Sequence, residues 1–303
     1  MTSQKATLIG LIAVVLWSAI VGLIRSVSEG FGAVGGAAMI YTLSSVMLLM
    51  TVGFPKIKTF PVPYLITGSI LFVCYELCLS LSLGYANNST QAIEVGMVNY
   101  LWPSLTILLS VLVNRQKTSL VIIPGMLLAI TGIGWVLGGD EGLSLSSIMN
   151  NLYSNPLSYG LAFGGAIIWA IYCAVTKKIA NGANGITLFF ILTALTLWVK
   201  YLLAPQPEFI ISTPVIISLL LAAGAMGFGY AAWNIGILHG NVTVLATASY
   251  FIPVISAALA AFILNSMLTV AFWQGAAMVS LGSLLCWWST RSATLKNVSE
   301  QAN

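Results

Sequence analysis

Charge is what this sequence has least of. Asp, Glu, Lys and Arg make up 6% of its 303 residues, where soluble domains carry roughly 25%. Of seven acids only Glu76 and Glu94 fall inside apolar stretches, and there is a single histidine. Clustered His, Asp, Cys or Ser nucleophile motifs are missing, so the chain does not read as an enzyme, and no catalytic residue, metal or cofactor is implied. A net charge of +4 with no basic cluster leaves no footprint for nucleic acid. The four cysteines (Cys74, Cys78, Cys173 and Cys286) lie in apolar runs. They read as small apolar residues, and no disulfide framework follows. His239, in LHGNVT, has no companion ligand and reads as a loop residue.

What the sequence does have is apolar length. Hydrophobic residues reach 59%, and the solvent that accounts for them is a bilayer, which a helix crosses with about 20 mostly apolar residues. Ten runs qualify: 6–24, 35–53, 64–85, 92–113, 119–138, 157–176, 184–204, 215–237, 242–264 and 269–289. The first is too long for a signal peptide and carries Trp17, so it is expected to stay as helix 1. With both termini in the cytoplasm, the inner side holds Lys5, Lys56, Lys58, Arg115, Lys117, Lys177, Lys178, Arg291 and Lys296, against Arg25 and Lys200 outside. That asymmetry follows the positive-inside rule. The connector 139–156 is then external. Leu145, Ile148, Met149 and Leu152 recur there at helical spacing, which suits a short interfacial helix; a loose loop is the other reading.

The chain repeats itself. Trp17 and Arg25 of helix 1 match Trp169 and Lys177 at an offset of 152. Tyr100, Pro103, Gly125 and Gly132 match Tyr250, Pro253, Gly275 and Gly282 at an offset of 150. Two five-helix halves, 1–138 and 157–290, therefore flank the connector 139–156, with a cytoplasmic tail over 291–303. An odd number of spans per half inverts one against the other, an architecture common in secondary transporters. Pro103 and Pro253 each withhold a donor from the carbonyl four residues back, Asn99 and Ser249. Such carbonyls are tolerated in hydrocarbon only against protein or cavity water, so both bends are expected to face the interior as kink or gating points.

Polar groups at depth mark the candidate site. Glu76 lies mid-span in helix 3, and Glu94 near the outer end of helix 4. An intramembrane acid is a functional candidate by default, and either could carry a proton; a buried structural acid for Glu76 and a solvated helix start for Glu94 are the alternatives. Arg25 could snorkel to the headgroups or anchor a carboxylate. Trp17 and Trp169 sit too deep for an interfacial belt. Trp169, Tyr172, Cys173 and Thr176 share a face of helix 6. Tyr230, Trp233, Asn234 and Ile237 share one of helix 8, and Thr243, Thr247 and Tyr250 one of helix 9. Asn99, Trp102 and Thr106 share a side of helix 4, from which Glu94 projects away. Ring-rich faces on several helices suit a cavity for a flat ligand. Helices 5 and 10 carry small residues instead, fit for close scaffold packing or for a homodimer contact.

Trp in helices 1 and 6 and Pro in helices 4 and 9 of paired five-helix halves resemble two EamA repeats of the drug/metabolite transporter superfamily, over about residues 6–290. QAIEVGMVNYLWPSLTILL, WNIGILHGNVTV and FWQGAAMVSLGSLLCWW resemble its aromatic amino acid exporters. The resemblance implies a ten-helix, all-α protein of the bacterial inner membrane that exports phenylalanine, tyrosine and tryptophan by alternating access. Export of aromatic cations such as methyl viologen is the alternative. It implies Trp17, Tyr75, Glu76, Asn99, Trp102, Trp169, Asn234 and Tyr250 as lining; Glu94, Tyr100 and Tyr172 join them as substrate-binding candidates from the residues themselves. The expected partners are the substrate and the lipid bilayer.

Overall fold

The computed structural model describes residues 1–203, 205 and 207–301, with their side chains except those of Asn114, Lys177, Leu238, Val242, Thr243 and 291–301. The expectations on Lys177, Thr243, Arg291 and Lys296 thus lie outside the described side chains. Among the described residues the chain is all helix, without a strand. In order come α1 (Ser3–Ser18), α2 (Ile20–Phe31), α3 (Ala33–Thr51), α4 (Ser69–Gly84), α5 (Ser89–Asn99), α6 (Trp102–Asn114) and α7 (Ile122–Gly138). Then follow α8 (Leu145–Ser154), α9 (Pro156–Ile179), α10 (Ile186–Leu203), α11 (Thr213–His239), α12 (Val242–Ser249), α13 (Ile252–Ile263) and α14 (Val270–Gln301). A π-helical turn at Tyr64–Gly68 leads into α4. Among the described residues eight spans are long and apolar enough to cross a bilayer, and nine if α1 and α2 form one.

Three expected spans are broken. Helix 1, expected unbroken over 6–24, extends to Phe31 and turns by 43° between α1 and α2. The Ser18 hydroxyl donates back to the Val14 carbonyl at 2.7 Å, and Ala19 N–H reaches only three residues back, to Leu16 at 3.2 Å. Both tighten the turn and bend the axis. In the fourth span Tyr100 and Leu101 N–H donate to the Met97 and Val98 carbonyls at 3.1 and 3.2 Å. In the ninth, Tyr250 and Phe251 donate to Thr247 and Ala248 at 3.3 and 3.1 Å. Each tight turn starts a new helix with proline in its first turn, Pro103 in α6 and Pro253 in α13, where the missing N–H costs nothing. Each proline thus lies just after a tight turn that interrupts the helical ladder, in the first turn of the segment that follows.

The two broken spans match beyond the prolines. The Asn88 side chain accepts from Gln91 N–H at 2.8 Å to start α5, and Asn241 does the same for Val244 at 3.2 Å to start α12. Left-handed residues close both: Arg115 (φ 51°) after α6 and Asn265 (φ 50°) after α13.

Four long packings build the body. α1 and α2 run antiparallel along α11: Asn241 N–H donates to Thr7 Oγ1 at 2.8 Å, Ser26 and Ser218 hydroxyls meet at 2.9 Å, and Ile210 N–H donates to the Gly30 carbonyl at 2.8 Å. A Cβ on Gly236 would lie 2.8 Å from Gly10 Cα, so this crossing needs glycine. α4 lies on α9, α3 on α10, and α7 on α14. In the last pair a Cβ on Gly275 would lie 2.6 Å from the Gly132 carbonyl oxygen. The small residues of helices 5 and 10 are used inside the chain.

The α8 segment is a helix, not a loose loop, and packs Ile148 and Leu152 against the body. Arg25 is not among the residues that line the cavity described below. Its guanidinium pairs with Glu29 at 3.0 Å and donates to the Ala86 and Gly84 carbonyls at 2.6 and 3.4 Å, caging the C-terminal end of α4, where a cation is favoured. All four cysteines are free thiols.

Candidate functional site

Between α1, α2, α4, α5, α6, α9, α11 and α13 lies a cavity of about 180 Å³. Its walls follow from the helix faces. On α11, Tyr230 and Trp233 stand one turn apart and hold the Trp17 indole between them, at centroid distances of 4.9 and 5.1 Å. Across the cavity Trp169 of α9 lies against Tyr75 of α4 at 4.4 Å and stacks on Tyr172 at 4.9 Å and 14°. Trp102, at the start of α6, meets Trp169 edge-on at 6.4 Å. Trp17 on Tyr230 and Trp169 on Tyr75 are both indole–phenol contacts between antiparallel helices, at interplanar angles of 61° and 31°. Gly229 makes room for the first: a Cβ there would sit 2.7 Å from Trp17 Nε1.

Glu76 supplies the cavity's charge and is 0% exposed. The Tyr41 hydroxyl donates to its Oε2 at 2.6 Å and the Tyr230 hydroxyl to its Oε1 at 2.9 Å. Two phenols thus serve one oxygen each, an arrangement suited to a carboxylate. The lining contains no Lys, Arg or His. Asn99, 2% exposed, also lines the cavity; its amide donates one hydrogen to the Ala162 carbonyl at 3.1 Å and keeps the other. Pro103 cannot donate to the Asn99 main-chain carbonyl.

Of the residues singled out from sequence, Trp17, Tyr75, Glu76, Asn99, Tyr100, Trp102 and Trp169 come together here. Four do not. Glu94 lies five residues before Asn99, well round the helix, and faces α8 and α9, accepting from Asn151 at 2.9 Å and lying 2.7 Å from the Tyr159 hydroxyl oxygen. Tyr172 backs Trp169 from behind, against Phe72. Tyr250 sits just before the turn that opens α13, which sends it to Trp287 of α14 and leaves Ile252 at the cavity. Asn234 is half-buried outside the lining. Sequence reasoning noticed Tyr230 and Trp233 as a face of helix 8 but did not rank them as site residues; their i, i+3 spacing was the signal. It missed Tyr41, because nothing in AAMIYTLSS signals that this hydroxyl reaches Glu76, 35 residues on.

Comparison with known proteins fits this architecture. Residues 156–288 match the EamA-like transporter family. The aromatic amino acid exporter YddG of Escherichia coli (strain K12) is 65% identical over 96% of this chain and 99% of that protein. That of Salmonella typhimurium (strain 14028s / SGSC 2262) is 64% identical over the same shares. That of Ancylobacter novellus is 26% identical over 84% of this chain and 88% of its own. A solved crystal structure with 20% identity superposes at a TM-score of 0.68, covering 96% of this chain and 99% of that one.

Proposed function

The chain belongs to the EamA-like transporter family, and from that premise we propose that it exports aromatic amino acids through the ring-lined cavity around Glu76. It is a multi-pass inner-membrane transporter and not an enzyme. The observation that carries the reading is a buried carboxylate with two phenol donors and no basic side chain beside it, facing stacked indoles. The ammonium of a zwitterion supplies the missing cation. The substrate ring lies between the Trp17 and Trp169 walls, where aromatic pairs add about 0.5–1.5 kcal/mol each. The free amide hydrogen of Asn99 serves the substrate carboxylate.

The same reading takes the chain as ten spans in two inverted halves, the ninth being α12 with α13. Supporting it are the paired Asn88 and Asn241 caps, the paired tight turns before Pro103 and Pro253, and the two Trp–Tyr contacts. Alternating access is then a rocking of the α1–α11 pair against the α4–α9 pair, with the broken helices as hinges. A homodimer through α7 and α14 would use their outward side chains, such as Leu127 and Trp288, since the glycines are occupied within the chain.

Counterflow of labelled tryptophan into proteoliposomes tests the function. Saturable uptake that phenylalanine and tyrosine suppress is expected; uptake equal to that of empty liposomes would overturn the reading. An exporter of aromatic cations is favoured by one observation, the lone negative charge of the lining. Methyl viologen displacing tryptophan more effectively than phenylalanine would select it.

A further inference from the structure

Away from the cavity, Glu94 of α5, Asn151 of α8 and Tyr159 of α9 meet in a cluster whose hydrogens can be counted. Asn151 fixes the count. One terminal atom of its amide lies 3.2 Å from the Leu137 carbonyl oxygen, so it can only be the NH₂ group. That nitrogen donates its second hydrogen to Glu94 Oε2 at 2.9 Å. Asn151 Oδ1 then faces the Tyr159 hydroxyl oxygen at 2.8 Å, and the same hydroxyl oxygen lies 2.7 Å from Glu94 Oε2. A phenol has one hydrogen, and an ionised carboxylate has none. With Glu94 ionised, one of these two short O···O contacts has no hydrogen between its atoms.

We infer that Glu94 is a proton-binding site: its carboxyl hydrogen completes a ring in which Glu94 donates to Tyr159, Tyr159 to Asn151 and Asn151 to Glu94, pinning α8 onto α5 and α9. The inference does not depend on the substrate reading. Glu76 makes the contrast, since its two oxygens have a phenol each and lack no hydrogen. Tyr159 is the titratable group in contact with Glu94. Arg25 and Glu29 of α2 hold each other and the end of α4, and Glu141 beside α8 accepts from Ser147. Glu76 and Tyr75 of α4 face the cavity, and α7 and α13 carry no titratable side chain. Loss of the proton opens the ring and frees the middle of α8. Its end stays tied, through Gln91 Nε2 to Ser154 Oγ at 3.0 Å and Asn155 Nδ2 to Gln91 Oε1 at 2.9 Å.

Infrared spectra of the protein in nanodiscs, collected across pH, test this. A protonated-carboxyl band is expected near neutral pH in wild type and in Glu76→Gln, and lost in Glu94→Gln. A band indifferent to Glu94→Gln, or carboxylate signals alone, would overturn it. Glutamine can copy the protonated acid, so hydrogen exchange of α8, corrected for intrinsic rates, should loosen with rising pH in wild type and not in Glu94→Gln. The same pH response in both would also overturn it. Should Glu94→Gln not fold, ¹³C-glutamate labelling of Glu76→Gln leaves Glu94 as the one glutamate that is not exposed among the described side chains; absence of its carboxyl band rejects the inference.

Discussion

Replacing Glu76 with glutamine removes the cavity's negative charge while preserving the side chain's shape. The glutamine oxygen still accepts from one tyrosine, and its NH₂ donates to the other hydroxyl, so neither Tyr41 nor Tyr230 is stranded. Alanine would strand both, at about 1–3 kcal/mol each. An ammonium about 4 Å from the carboxylate gains about 4 kcal/mol at an effective dielectric constant near 20. Desolvation takes back part of that, and hydrogen bonds to charged groups retain about 1.5–3 kcal/mol. A loss of about 2 kcal/mol is about 30-fold in Kd. Calorimetric titration should use tryptophan and indole-3-propionate, which shares the ring and carboxylate but lacks the ammonium. Glu76→Gln should weaken tryptophan about 30-fold and leave indole-3-propionate unchanged or tighter. Unchanged tryptophan affinity, or equal losses for both ligands, would refute the pairing.

Trp169→Ala removes the ring between Tyr75 and Tyr172; tryptophan should bind about tenfold more weakly, as expected for one or two aromatic contacts, read by the same titration. Gly229→Ala puts a Cβ 2.7 Å from Trp17 Nε1 and pushes the indole into the cavity, so counterflow should fall while the melting temperature holds. Gly275→Ala forces α7 and α14 apart, its Cβ being 2.6 Å from the Gly132 carbonyl oxygen. Overpacking of this kind costs about 1–3 kcal/mol, so the melting temperature in detergent should fall with tryptophan Kd unchanged.

The spans were legible because bilayer thickness and hydropathy impose them directly, and a 150-residue echo of Tyr, Pro and Gly survives in plain sequence. Trp17 and Trp169 were legible as cavity-lining residues because a deep indole has no interfacial role. The break at Ala19 was not, since it depends on a serine back-bond and a three-residue turn that leave no proline signature. The carbonyl partners of Arg25 were not legible for a related reason: Gly84 and Ala86 lie about 60 residues away, and carbonyls have no sequence identity. Glu94 and Glu76 looked alike as intramembrane acids. What separates them is which hydroxyls and amides surround each carboxyl, a property of α3 and α11 for Glu76 and of α8 and α9 for Glu94 that neither residue's own helix encodes. Tyr250 looked equivalent to Tyr100 by offset, yet Tyr100 reaches the cavity and Tyr250 packs on Trp287.

The central claim is that an aromatic amino acid occupies this cavity with its ammonium at Glu76. The direct measurement is a structure with a bromotryptophan bound, the bromine located by anomalous scattering. The account predicts the halogenated ring between the Trp17 and Trp169 walls and the ligand nitrogen within hydrogen-bond reach of Glu76. Bromine in the apolar groove lined by Ile130 and Ile133 of α7, Met149 and Leu152 of α8 and Phe163 of α9, or a nitrogen turned away from the carboxylate, would contradict it.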